Sequence, residues 1–142
     1  MRVMSEAEWK AFLTEQPRTA KLATVRADGR PHVAPIWIDL DDDGAVVFTT
    51  FADSLKGKSI RRDARVCLCV DDDRPPFSFV IIEGRVEISE DLDELLHWAT
   101  RIGGRYMGAA AASAFGKGNA VAGELLVRLR PEHVVAHAAI AD

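Results

Sequence analysis

The segment Ala20–Thr50 reads AKLATVRADGRPHVAPIWIDLDDDGAVVFTT, and its short apolar and β-branched runs, broken by turn residues, have the character of strands. AKLATVR (Ala20–Arg26) and PHVAPIWIDL (Pro31–Leu40) flank Asp28-Gly29, a dipeptide that supplies the positive φ a tight hairpin connection needs. Asp41–Gly44 turns the chain again into AVVFTT, Ala45–Thr50. Upstream, Ser5 and Glu8 spell a capping box, with Trp9, Phe12 and Leu13 following at helical spacing, which predicts a short amphipathic helix.

Downstream, a short basic helix is expected to start after Ser54, followed by a strand at Arg65–Val70, the polar loop DDDRPP and a long strand at Phe77–Ile88. Gly84 within that strand marks a bulge or a close backbone approach. Asp91 and Glu94 give the cap signal of the longest helix, whose stripe of Leu92, Leu95, Leu96, Ala99, Ile102 and Tyr106 runs through to Met107. Ala109–Phe115 reads as a further turn or two of helix, Gly116–Asn119 as a loop, Glu124–Arg130 as a last long strand and His133–His137 as a shorter one. The sum is a mainly β (α+β) chain of six or so antiparallel strands with flanking helices, curled into a closed or partly closed barrel.

The 142 residues, 48% of them apolar, suffice for one compact domain and are too few for two, so residues 1–142 are read as a single domain. A formal charge of −4 argues against a nucleic-acid binder. No stretch approaches the length of a membrane span, and MRVMSEAEWK carries no apolar leader, so a cytoplasmic protein without membrane contact is expected. Cys67 and Cys69 alternate in VCLCV, share one face and are expected to be small core residues. The four histidines are scattered, so no metal site is expected. Asp39, Asp41, Asp43 and Gly44 start like a calcium loop, but Thr50 stands where the bidentate Glu belongs, and calcium is rejected.

Chemistry concentrates in TTFADSLKGKSIRRDARV, Thr49–Val66. A strand ending in two hydroxyls, a Ser54 cap and Lys56 and Lys58 in the first turns of a helix form a candidate phosphate site, against the plainer reading of a solvated basic face. No catalytic triad or carboxylate pair is present, and no catalytic residue is singled out.

In the order LATVRADGRPHVAPIW (Leu22–Trp37), FTT (Phe48–Thr50), SLKGKSIRRDARV (Ser54–Val66), IEGRVEI (Ile82–Ile88) and RYMG (Arg105–Gly108), the chain resembles the pyridoxamine-phosphate-oxidase-like flavin and deazaflavin oxidoreductases. The resemblance implies a split β-barrel, homodimerisation with sites at the interface, and a cofactor of flavin type. The flavin-mononucleotide oxidases of this group carry S-R-K-A where this chain has Ser54-Leu55-Lys56-Gly57, and a further arginine near Ala34 or Pro35; both arginines are absent. A terminal phosphate monoester favours bidentate arginine, so their loss points to the branch that uses the deazaflavin coenzyme F-420, with FMN as the alternative cofactor.

The resemblance places Lys56 and Lys58 on the cofactor phosphate, with Thr49, Thr50 and Ser54 beside them as donors. It lays Pro35, Ile36 and Trp37 along the ring and linker, and assigns Arg62, with Arg61, to the acidic tail. Trp37 reads equally as a core or interface aromatic. The implied activity is hydride transfer between F-420 and an electron-poor small molecule, the alternatives being an FMN-dependent oxidase or a protein that stores or carries the cofactor. Partner-chain residues in Asp73–Phe79 or around Tyr106 and Met107 are expected to complete each pocket.

Overall fold

The computed structural model describes residues 1–141. Ordered along the chain, the elements are β1 (Arg2–Val3), α1 (Glu6–Glu15), β2 (Ala20–Val25), β3 (Pro31–Ile36), β4 (Asp39–Leu40), β5 (Val46–Phe51), α2 (Leu55–Arg62), β6 (Arg65–Asp72), β7 (Ser78–Ser89), α3 (Leu92–Met107), α4 (Ala109–Asn119) and β8 (Glu124–Ala138). All strands join one antiparallel sheet in the order β3-β2-β6-β7-β8-β5-β4, with β1 added to β8. The sheet curls into a half-barrel flanked by the helices, as a split barrel does. No helix among the described residues is long and apolar enough to cross a membrane.

Local chemistry explains most of the elements. Ser5 Oγ accepts from Glu8 N at 3.2 Å while the Glu8 carboxylate accepts from Ser5 N at 3.1 Å, closing the expected capping box. Arg26 N donates to Arg30 O at 2.9 Å across the Asp28-Gly29 turn. Asp41 Oδ1 accepts from Asp43 N at 3.0 Å and Ala45 N at 2.9 Å, so its carboxylate shapes a turn, while Asp39 pairs with Arg101. Asp91 Oδ1 caps α3 through Asp93 N and Glu94 N.

Alternation then builds the core. Leu22, Phe48, Leu68, Ile82, Leu125 and Leu129 are fully buried inside the half-barrel, and Leu13 of α1 and Ile60 of α2 close over it. Val47 and Leu126 point the other way and pack under Leu95 and Trp98 of α3.

The structure departs from the sequence reading at definite places. Pro31–Leu40 is not one strand: β3 pairs with β2, whereas β4 pairs with β5 at the other end of the strand order. Trp37 and Ile38 form the corner between them, a change of partner that periodicity along one segment does not encode. The last strand is unbroken from Glu124 to Ala138. Pro131, between the two strands expected there, lies where the register with β7 shifts, and there its missing N–H is tolerated.

Gly116–Asn119 is helical, closing α4 against α3 rather than looping. Cys67 and Cys69 are half-exposed on the outer face of β6, because Val66, Leu68 and Val70 take the inward positions; burial raises the pKa of both thiols. On α3, Leu92 and Leu96 face outward and Trp98 takes an inward position instead. The two-residue β1 and β4 are too short for any period to reveal.

Gly84 is both things its position suggested. The register shift falls between Glu83 and Gly84, and a Cβ at Gly84 would sit 2.0 Å from Arg130 O. Gly84→Ala is expected to destabilise the fold by about 1–3 kcal/mol. A thermal or urea melt matching the wild type would show that β7 and β8 can separate at this point.

Candidate functional site

The corner between β3 and β4 is held from α3. Tyr106 Oη accepts from Ile38 N at 3.1 Å and donates to Arg18 O at 2.6 Å, and its ring stacks on Trp37 with centroids 4.9 Å apart and planes 7° from parallel. Burial pushes the Tyr106 phenol pKa up, which keeps it a neutral donor. Arg105, next in line, donates to Ile38 O and to Leu13 O at the end of α1. The last turn of α1 has no basic residue of its own, so Arg105 supplies the cation that its free carbonyls lack. Trp37 is thereby fixed in place, with Phe115 of α4 at 5.7 Å.

Beside this corner lies a cleft of about 390 Å³ at the C-terminal end of β5. Its walls are Thr19, Pro35, Ile36 and Trp37; Thr49, Thr50, Phe51, Ser54 and Lys56; Ile102, Phe115 and Asn119; and Glu124. Pro35, Ile36, Trp37, Thr49, Thr50, Ser54 and Lys56, singled out from the sequence, therefore meet around one cavity. Lys58 and Arg62 do not line it: Lys58 is exposed on the far side of α2, and Arg62 donates to Val25 O at 3.2 Å. Arg61 is likewise exposed.

The hydroxyls divide into two kinds. Ser54 Oγ donates its proton to Phe51 O at 2.7 Å, because a carbonyl only accepts, while it accepts from Gly57 N at 3.0 Å. Thr50 Oγ1, 3.1 Å from Ser54 Oγ, must then be the donor of that pair. Both protons are turned inward, so Thr50 and Ser54 build the cap and wall without offering a free donor. Thr49 is half-exposed, and its hydroxyl has no partner among the described residues. Asn119 Nδ2 uses one proton on Phe115 O at 2.8 Å and keeps the other. The first amides of α2, at Leu55 and Lys56, have no intrahelical partner.

Among the described residues, Lys56 and Glu124 are the only ionisable side chains on the cleft wall, and neither forms an ion pair. Burial pushes the Glu124 pKa up, opposed by the charge of Lys56. The donor set of one ammonium, a hydroxyl, an amide and a helix N-terminus fits a phosphate group. Among the described residues, no arginine lines the cleft. Gly57 marks a further constraint: a Cβ there would lie 2.3 Å from Phe51 O, so α2 is drawn tight onto the end of β5 in a way that alanine would disturb.

Sequence reasoning missed Ile102, Phe115, Asn119 and Glu124. The first three come from a helical hairpin whose second helix reads as a loop at its glycines. Glu124 reaches the site only through its register with Phe51. Tyr106, which the resemblance implies completes a partner's pocket, bonds Ile38 N and Arg18 O of its own chain.

A family model described as pyridoxamine 5′-phosphate oxidase matches residues 5–138. The pyridoxine/pyridoxamine 5′-phosphate oxidase of Rhizobium etli is 35% identical over 113 residues, covering 75% of this chain and 53% of that protein. The chain thus spans about half the length of the curated relatives it matches. Among solved structures, a conserved hypothetical protein from Mycobacterium tuberculosis superposes with a TM-score of 0.82 at 30% identity, over 95% of this chain and 85% of that one. An F-420 reductase superposes with a TM-score of 0.67 at 26% identity, over 87% and 94%.

Tyr106→Phe would leave the buried Ile38 N–H and the Arg18 carbonyl without their partner, and is expected to cost about 1–3 kcal/mol and to alter Trp37 fluorescence. An unchanged urea midpoint with an unchanged emission spectrum would show that the phenol does not hold the corner.

Proposed function

The chain belongs to the pyridoxamine 5′-phosphate oxidase family, and from that premise we propose that it is an oxidoreductase that binds coenzyme F-420 in the cleft beside β5 and acts on an electron-poor small molecule. The observation that carries the choice of cofactor is a donor cluster in which, among the described residues, Lys56 is the single cation and no arginine takes part. A phosphate monoester bears about −1.5 to −2 charges at neutral pH and favours arginine forks. A diester bears one charge, which a lone lysine and helix amides can balance. The structural relative that is an F-420 reductase supports the same choice.

Under this reading Lys56, Thr49 and the first amides of α2 hold the phosphate. Pro35, Ile36 and Trp37 flank the ring and linker, with Trp37 held by Tyr106 so that its orientation is set before the ligand arrives. When bound, the deazaflavin supplies a two-electron hydride carrier. The protein's own part is orientation and exclusion of water by Trp37, Ile102 and Phe115. Lys58 and Arg62 serve the acidic tail as solvent-side cations rather than as cleft residues. The FMN-dependent oxidase reading draws on the curated relatives, which are oxidases.

The reading includes a homodimer. Ala23, Cys67, Cys69, Ile81 and Val135 form an apolar, half-exposed strip across the outer face of β2, β6, β7 and β8, which supports a second copy packing there. The wild-type protein should sediment as a dimer, and Ile81→Glu should sediment as a folded monomer. A monomeric wild type would remove the dimer from the proposal.

Titration of the cofactor-free protein with F-420 and FMN in parallel tests the cofactor assignment, and F-420 is expected to bind more tightly. Lys56→Ala should weaken that binding by about 1.5–3 kcal/mol, roughly tenfold to a hundredfold, with the fold intact. Equal affinity in a folded Lys56→Ala protein would sink the assignment of the phosphate to this cleft.

A further inference from the structure

Glu124 stands at the phosphate end of the cleft without a partner of its own. It opens β8 directly opposite Phe51, and Ala52 N donates to Gly123 O at 2.7 Å beside it, so its backbone is fixed against the strand that carries Thr49 and Thr50. Its side chain lines the same cavity as Lys56 and Ser54. No hydrogen bond or ion pair among the described residues engages its carboxylate, and none engages the ammonium of Lys56. A cleft built only to grip an anion has no use for a carboxylate in its wall. Pairing with Lys56 alone would not explain it either, because the two groups share the cavity without meeting within the 4.0 Å of an ion pair.

A half-buried fixed charge acts through the space between it and the ligand, where screening by water is incomplete. Its repulsion grows with the charge of the group placed there. A terminal phosphate monoester carries close to two negative charges and a diester one, so a carboxylate beside the site penalises the first about twice as much as the second. We propose that Glu124 is a specificity-determining residue that excludes phosphate monoesters from this end of the cleft and admits phosphate diesters, an assignment that rests on the cofactor reading above. Lys56 supplies affinity for either kind of phosphate. Glu124 supplies the difference between them.

The test compares the wild type with Glu124→Gln, which keeps shape and removes charge, by titrating each with riboflavin, FMN and F-420 and following tryptophan fluorescence. Riboflavin has no phosphate, FMN a monoester and F-420 a diester. In Glu124→Gln, FMN should bind about tenfold more tightly and F-420 about threefold more tightly, with riboflavin unchanged. Glu124→Thr, which suits the start of a strand, should give the same order and guards against a peculiarity of the amide; thermal melts confirm that both variants are folded. The same gain for all three ligands, or an unchanged FMN-to-riboflavin ratio, would overturn the role of Glu124. If the wild type binds F-420 but Glu124→Gln keeps that ratio, the Glu124 assignment alone falls. If the wild type binds neither F-420 nor FMN, the cofactor reading falls and takes the Glu124 assignment with it.

Discussion

The hydrogen bond from Ile38 N to the Tyr106 hydroxyl is the contact on which the site depends. The chain leaves one end of the sheet at Ile36 and rejoins its other end at Asp39, and in between its backbone has no strand to pair with. A buried amide left unpaired there would be costly, and α3 removes that cost by presenting a phenol to Ile38 N and a guanidinium to Ile38 O. The same phenol reaches Arg18 O, and the same guanidinium reaches the end of α1. One turn of α3 therefore ties the corner, the first helix and the start of β2 together. Trp37, stacked on Tyr106, becomes a rigid wall of the cleft as a by-product of that tie.

The cleft's chemistry follows from how its polar groups are already committed. Thr50 donates to Ser54 Oγ and Ser54 in turn to Phe51 O, a relay that shapes the start of α2 but withdraws two hydroxyls from ligand binding. What faces outward is sparse: Thr49, one amide proton of Asn119, the first amides of α2, and the opposed charges of Lys56 and Glu124. A site with so few donors binds weakly unless its ligand also fills the apolar part bounded by Trp37, Ile102 and Phe115. That division of labour suits a ligand with a flat ring at one end and a modestly charged phosphate at the other.

Much of the architecture was legible in the residues. The capping box at Ser5, the Asp28-Gly29 turn and the Asp91 cap are local devices, each satisfied by atoms within a few residues, and each appears where its motif stands; Gly84 also marks its bulge, although the atom it makes room for, Arg130 O, lies on β8. The alternating runs correctly announced strands. Failures occurred where a distant element overrode local pattern. Packing against α3 keeps Gly116–Asn119 helical, and a register shift lets β8 run through Pro131. Cys67 and Cys69 lie outside because Val66, Leu68 and Val70 claim the inner face, and alternation alone says that two residues share a face without saying which face it is.

For the site, the sequence by itself determined the cap, the lysine and the hydroxyls at the end of β5, because they lie within eight residues of one another and any strand-to-helix turn would bring them together. Only the tertiary structure decided which of them face the cleft. It separated Lys58 and Arg62 from Lys56 by the turn of α2, brought Phe115 and Asn119 across from α4, and set Glu124 opposite Phe51 through the pairing of β5 with β8. The physical reason is that a helix or strand spreads neighbouring side chains over different faces, while sheet pairing and helix packing gather distant ones onto the same face. The charge balance of the cleft is set by Lys56 and Glu124 lining one cavity, residues from opposite halves of the chain, and no single stretch of sequence contains it.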